Sequence, residues 1–278
     1  MHANATRLHD DMQEADIDAG AVIRSSSDAV GLSLVLPTYN ERDNLEAVVE
    51  QVKRVLDGRL PDAYELIVVD DDSPDRTWEV AQALAETDRT LRVIRRLHDR
   101  GLASAVLDGW GAARGEILGV IDADLQHPPE ILAKLLDAID AGADLAVASR
   151  HVSGGGVKDW SLARRLLSRG AQALGLLMLP EVIGRLSDPM SGFFLVRQAA
   201  VQGVELQPIG YKILIEVVAR ARIDRLSEVG YVFNVRRLGD SKVSRREYVN
   251  YLRHLWRLRR REPLGWLRVL RRSQPCVR

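Results

Sequence analysis

The chain has 278 residues, 46% hydrophobic and 28% charged, with 39 basic against 39 acidic side chains. That composition excludes a disordered or fibrous protein and allows one large domain, or a domain with an appendage. The zero formal charge hides a division: residues 236–278 hold 14 Lys or Arg against 3 acids, the rest of the chain holds the compensating acid, and such asymmetry suits a polyanionic partner.

Residues 1–28 are polar, contain no apolar leader run, and are expected to be a disordered extension. From there to Arg150, strand and helix signals alternate, the pattern of a parallel α/β sheet. Strand one is expected at Leu32–Leu36. Its helix carries Leu45, Val48, Val49, Val52, Val55 and Leu56 on one stripe, with Asn40 as N-cap. Strand two, Tyr64–Val69, runs into Asp70-Asp-Asp-Ser-Pro-Asp75, where Ser73 and Pro74 read as a helix start. Strand three is Leu91–Arg95, and the small-residue helix Gly101–Arg114 is expected to pack closely on the sheet. Strand four, Glu116–Ile121, leads into a helix Pro128–Ala141 with Ile131, Leu132, Leu135, Leu136 and Ile139 inward, then strand five, Asp144–Ser149.

Beyond Arg150, Ser153-Gly-Gly-Gly156 reads as a mobile loop, followed by a helix bearing Arg164, Arg165 and Arg169. A strand Phe193–Arg197, a helix Lys212–Ala221 and a strand Glu228–Val235 complete the core. No run reaches the roughly 18 apolar residues of a membrane span; the longest, Ala171–Leu179, is too short. In the tail, Tyr248, Tyr251, Leu252, Leu255 and Trp256 recur at helical spacing among arginines, and Leu264, Trp266, Leu267, Val269 and Leu270 follow Pro263. Two readings stand: a membrane-interface segment, or a terminal helix docking its stripe on the domain. The sole cysteine, Cys276, excludes an intrachain disulfide and fits a reducing compartment.

The chemistry concentrates in Val120-Ile-Asp-Ala-Asp-Leu-Gln-His-Pro-Pro-Glu130. In extended backbone alternate side chains share a side, so Asp122, Asp124 and Gln126 can converge beyond a strand end, where open α/β sheets bind ligands. Hard oxygen donors of this kind suit Mg²⁺ or Mn²⁺ and, through it, a diphosphate. A plain solvated turn is the bland reading of one such pair; the second acidic strand end, Asp70–Asp75, counts against it.

Four segments, Pro37-Thr-Tyr-Asn-Glu41, Asp70–Asp75, Asp122-Ala-Asp-Leu-Gln126 and Arg236-Arg-Leu-Gly-Asp-Ser-Lys242, together resemble the family 2 glycosyltransferases of the GT-A fold. Asp188-Pro-Met-Ser-Gly-Phe193 and Gly210-Tyr-Lys212 bring the resemblance closer to polyprenol-phosphate sugar transferases of the dolichol-phosphate mannose synthase type. It spans about residues 30–245, and it implies a Rossmann-like mixed, mostly parallel sheet flanked by helices. The implied domain is 29–242, with a basic amphipathic helical tail at 243–278. Pro37, Tyr39, Glu41, Val69 and Asp71 would then hold the nucleoside of a sugar nucleotide, GDP-mannose being favoured and UDP-glucose left open. Asp122, Ala123, Asp124 and Gln126 would hold Mg²⁺ or Mn²⁺ and the diphosphate, with Gln126 the least secure ligand. Arg236 and Lys242, flanking Gly239, would close over it. Arg150, Arg165 and Ser168 would face the phosphate of a polyprenyl or dolichyl phosphate, since Arg forks suit phosphate. Lys212 has a structural and a functional reading of equal weight.

The resemblance further implies a cytoplasmic, membrane-peripheral enzyme that inverts the sugar, does not bind nucleic acid, and leaves room for a separate membrane-anchoring subunit. Two alternatives stay open: a family 2 transferase with a non-lipid acceptor, and a nucleotide-binding regulatory module whose tail binds nucleic acid.

Overall fold

The computed structural model describes residues 30–157, 162–234 and 245–261, excepting the side chains of 162–168, 245, 246 and 261. The expected extension 1–28 and the tail beyond Arg261 lie outside the described residues. Strands β1 (Leu32–Thr38) and β2 (Tyr64–Asp70) are buried along their whole length. Their mostly apolar runs, interrupted only by buried polar groups such as Ser33 and Glu65, are what a parallel strand covered on both faces requires. With β3 (Leu91–Arg95), β4 (Ile117–Val120), β5 (Leu145–Ser149), β7 (Phe194–Arg197) and β8 (Leu226–Gly230) they form one sheet in the order β3-β2-β1-β4-β7-β5-β8. All neighbours are parallel except β7, which runs antiparallel between β4 and β5. The register pairs Thr38 with Asp70, so β1 and β2 end side by side.

Alternation splits the core between the two faces. Leu34, Leu36, Leu66 and Val68 pack with Leu45, Val48, Val52 and Leu56 of α1 (Arg42–Arg59) and with Leu132, Leu135, Leu136 and Ile139 of α4 (Ile131–Asp140). Val35, Ile67, Val69 and Val120 turn the other way, onto α3 (Leu102–Gly111) and α8 (Ile213–Arg220). Each fully buried aliphatic side chain contributes roughly 1.5–3 kcal/mol. The small-residue helix packs closely as expected: a Cβ on Gly109 would sit 2.6 Å from Val35 Cγ2.

Several local expectations are corrected. Asn40 does not cap α1; its φ is 53°, its N–H donates to Ser73 Oγ, and the helix begins at Arg42 after Glu41. Ser73 does not cap the next helix either, for α2 (Thr77–Thr87) starts four residues later and Asp75 Oδ1 accepts the Thr77 N–H. The strand expected at Glu228–Val235 breaks at Tyr231, giving β8 in the main sheet and β9 (Val232–Phe233), which pairs with β6 (Gly156–Val157). The glycine loop is therefore pinned: the Gly156 N–H donates to Tyr231 O, and Ser153 O would lie 2.1 Å from any Cβ on Gly230. Two short helices, α6 (Pro180–Ile183) and α7 (Gln198–Val201), were not anticipated.

The helix α5 (Leu162–Met178) meets the terminal helix α9 (Arg245–Arg261), where the Tyr251 hydroxyl donates to Ala171 O at 2.9 Å. The tail's apolar stripe divides. Tyr251, His254, Leu255 and Leu258 are buried on the domain, while Tyr248, Val249, Leu252 and Trp256 stay exposed. A buried pair, His254 Nε2 to Glu216 Oε2 at 2.6 Å, ties α9 to α8.

Glu65 supplies a pH-dependent contribution to stability. It is buried in β2 and accepts from Ser33 Oγ at 2.6 Å, Arg92 at 2.9 Å and the Arg114 N–H at 2.7 Å. Burial pushes its carboxyl up, but the hydrogen bonds from Ser33, Arg92 and Arg114 win and hold it at about 2. Its folded pKa lies below the unfolded one, so its stabilisation is complete above about pH 4.5 and fades as pH falls toward 2. Glu65→Gln should cost about 2–3 kcal/mol at pH 7 and clearly less at pH 3, read by denaturant unfolding at both values. An equal cost at the two pH values would contradict the assignment.

Candidate active site

The crevice opens where β1, β2, β4 and β5 end. On the β1–β2 side, Pro37 and Val69 pair in register, and Thr38 Oγ1 donates to Asp70 Oδ2 at 2.8 Å. Asp70 also accepts the Ser73 N–H at 2.9 Å, so it closes its own turn. Asp71 is buried and accepts Arg96 Nε at 2.7 Å and the Gly101 N–H at 2.7 Å. Burial pushes its carboxyl up, against the pull of the Gly101 bond and the Arg96 guanidinium. Glu41 is buried and accepts Asn44 Nδ2 at 2.8 Å. Tyr39 is half-buried, with the Arg100 guanidinium 5.3 Å from its ring centroid. An aromatic ring and two buried carboxylates thus stand on adjacent strand ends, a surface that fits a nucleoside's flat base and its donors.

After β4 the backbone does not continue extended. It turns, and Leu125 takes a φ of 59°, so strand alternation is not what arranges Asp122, Asp124 and Gln126; the turn does. Asp124 Oδ1 accepts the Gln126 N–H at 3.1 Å. Gln126 Nε2 donates to Asn234 O at 3.0 Å, which leaves the amide's oxygen end as its possible metal donor. Ala123 is buried behind them. Asp122 Oδ1 is sealed from solvent and has no hydrogen-bond partner, while Oδ2 lies 3.4 Å from His127 Nε2. A Cβ on Gly192 would sit 2.8 Å from the Asp122 carboxylate, so the backbone at Gly192 lies directly against it. His127 is itself boxed in by Phe193, Tyr231 and Phe233, with ring centroids 5.2–5.5 Å away.

A buried carboxylate oxygen without a donor is costly, and a hard divalent cation is the group whose charge would offset that cost. The residues present therefore fit Mg²⁺ or Mn²⁺. Among the described residues no group of three or more His, Cys, Asp or Glu side chains is arranged to hold a metal, so such an ion would need ligands from a substrate or water as well.

At the end of β5, Arg150 has a protein partner that the sequence did not reveal. Its guanidinium is buried and its fork is engaged by Asp188: Nε to Oδ2 at 2.7 Å and Nη2 to Oδ1 at 2.7 Å, with the Arg150 N–H donating to Oδ2 at 3.0 Å. Burial alone would raise the Asp188 carboxyl, but Arg150 holds it below the usual range. The 187–188 turn is braced by Glu228, which accepts the Ser187 N–H and hydroxyl. Beyond it, Lys212 donates from Nζ to Met190 O at 3.1 Å, and burial followed by the Arg150 charge lowers its ammonium to about 7. The motifs around Asp188 and Lys212 stand out in sequence, with a structural and a functional reading for Lys212 and no separate role for Asp188, and His127 is passed over. The Arg165 and Ser168 side chains, and all of Arg236 and Lys242, lie outside the described residues.

Residues 33–202 match the family model described as Glycosyl transferase family 2. A dolichol-phosphate mannosyltransferase of Pyrococcus furiosus is 47% identical over 227 residues, which are 82% of this chain and 63% of that protein. A polyprenol monophosphomannose synthase of Mycolicibacterium smegmatis is 39% identical over 221 residues, 76% of this chain and 80% of that one. Among solved structures, a glucosyl-3-phosphoglycerate synthase from Mycobacterium tuberculosis, in complex with Mn²⁺, UDP-glucose and phosphoglyceric acid, shares the fold. Its TM-score is 0.61 at 21% identity, over 82% of this chain and 80% of that one.

Proposed function

The chain belongs to glycosyl transferase family 2, and on that premise we propose that it moves mannose from GDP-mannose to a polyprenyl or dolichyl phosphate. What carries the proposal is the acidic turn after β4, with its buried, unpartnered Asp122 oxygen, in a chain whose relatives bear the names given above. In this reading Pro37, Tyr39, Glu41, Val69 and Asp71 receive the nucleoside. Asp122, Asp124 and Gln126, backed by Ala123, hold Mg²⁺ or Mn²⁺ against the diphosphate, and Arg236 and Lys242 close over it. When bound, the ion supplies positive charge that stabilises the departing nucleoside diphosphate.

An oxygen of the lipid phosphate attacks the anomeric carbon from the face opposite the diphosphate. The bond from that carbon to the β-phosphate oxygen breaks, and its electron pair leaves with the nucleotide. No proton has to move. A phosphate monoester has its second pKa near 6 and is largely dianionic at neutral pH, so no general base is needed. The chain's part is to position the two phosphates and balance their charge. Arg150, set by Asp188, is the fixed cation on the acceptor side in this reading, and Arg165 and Ser168 would join it on the acceptor phosphate.

No helix among the described residues is long and apolar enough to cross a membrane. The exposed face of α9, with Tyr248, Val249, Leu252 and Trp256 among arginines, is the surface we assign to the cytoplasmic leaflet. A separate anchoring subunit is compatible with that arrangement.

The test is transfer of radiolabel from GDP-mannose, with UDP-glucose in parallel, to long-chain polyprenyl phosphate in anionic vesicles and to a water-soluble short-chain prenyl phosphate. Label from GDP-mannose should enter the organic phase with the long-chain acceptor and a prenyl-phosphate sugar separable by chromatography with the short-chain one, and Trp256→Asp should slow only the vesicle reaction. Absence of a labelled prenyl-phosphate product in every arm would overturn the proposal.

A further inference from the structure

One charged group is not accounted for by the reading above. Lys212 follows a left-handed turn at Gly210 (φ 76°) and immediately precedes α8, so its side chain is placed by the start of that helix. It reaches Met190 O at 3.1 Å, inside the 188–192 segment that joins Asp188, the partner of Arg150, to Gly192, which abuts Asp122. The segment it holds thus carries both the partner of the acceptor-side arginine and the glycine that faces Asp122. Lys212 as a whole is half-buried, while its ammonium end lies deep, where it feels the charges of Arg150, Asp188 and Asp122.

Among the described residues no carboxylate lies within ion-pair distance of Nζ, whose contacts are the Met190 carbonyl and the Tyr211 ring at 4.1 Å. Asp188, the nearest acid in the 188–192 segment, is already spent on Arg150. Burial and the like charge of Arg150 work against the charged form of this lysine and outweigh the pull of Asp188, Asp122 and Glu247, none of which reaches it as an ion pair among the described residues. The depressed ammonium is the symptom. A phosphate arriving between Lys212 and Arg150 would reverse both costs.

We propose that Lys212 is a phosphate-binding residue, holding its ammonium beside Arg150 for the monoester phosphate of the acceptor. This deepens the transferase reading and rests on it for the identity of the acceptor. The donor's diphosphate carries the same chemistry, and the experiment separates the two sources.

The full-length chain, its Lys212→Met variant and its Lys212→Arg variant are titrated calorimetrically with geranyl phosphate, and separately with GDP and Mn²⁺. Loss of a charge-assisted bond should weaken geranyl phosphate binding of Lys212→Met by roughly ten- to a hundredfold. GDP binding should change by less than about twofold, and Lys212→Arg should recover part of the loss. The thermal midpoint of Lys212→Met should not fall, since a methionine fills the same space without a charge to desolvate. Unchanged geranyl phosphate binding, absent binding by the parent chain, or a fall confined to GDP would each overturn the assignment. So would a lowered midpoint with both affinities reduced, which marks a structural lysine. The two proposals fail separately. A parent chain that transfers no mannose while Lys212→Met still selectively loses geranyl phosphate refutes the transferase reading alone. Normal transfer with equal binding by parent and variant refutes the role of Lys212 alone.

Discussion

Asp124→Ala is expected to lower sugar transfer by roughly a thousandfold, because several kcal/mol of leaving-group stabilisation would go with the ion it helps to hold. The carboxylate also fixes its own turn by accepting the Gln126 N–H, so a modest stability loss of about 1 kcal/mol should accompany the change. The two effects are separable by measuring donor binding with and without Mn²⁺. The parent chain should bind the sugar nucleotide more tightly with the ion, and the variant should show no such difference. A chelator should reduce the parent chain to the variant's rate. Retention by Asp124→Ala of more than about a tenth of parent activity would remove the acidic turn from the mechanism.

The second large effect is expected at Asp188. Asp188→Ala leaves the Arg150 guanidinium buried without its counter-charge, a loss of about 3–5 kcal/mol in a pair of this kind. Activity should fall with it. Stability and activity come apart in the double variant Arg150→Met, Asp188→Leu. Replacing both partners with apolar groups removes the uncompensated charge, so most of the stability should return. Transfer should not, because the acceptor-side cation is gone. Denaturant unfolding together with the rate at saturating acceptor reads both. A double variant with restored transfer would reduce Arg150 to a packing role.

How much of this was legible in sequence differs by residue. The runs 32–36 and 64–69 and the stripe on α1 were plain, because burial on both faces and on one face leave distinct periodicities. The caps were not. Asn40 and Ser73 are good capping residues, but a tertiary contact between them and the Asp70 side chain put both in turns instead. The break between β8 and β9 was invisible for a similar reason: it depends on how closely Ser153 O approaches Gly230, 77 positions earlier in the chain. At the site, the acids stood out as a pattern, whereas the bend that gathers them lies in the φ of Leu125, a residue with no signal of its own. Arg150 stands out at the end of a strand, but its partner Asp188 lies 38 residues away and has no sequence link to it. On α9 the spacing gave the apolar stripe without saying which half would be taken by the domain. The buried His254–Glu216 pair decides that, and it also means that deleting the helix would open the core.

The most direct measurement of the central claim is the anomeric configuration of the sugar in the lipid product, read by the one-bond carbon–hydrogen coupling in NMR. A lipid phosphate attacking opposite the diphosphate, with no covalent intermediate on the protein, yields inversion of the donor's α linkage to β. A product that keeps the α configuration would contradict it.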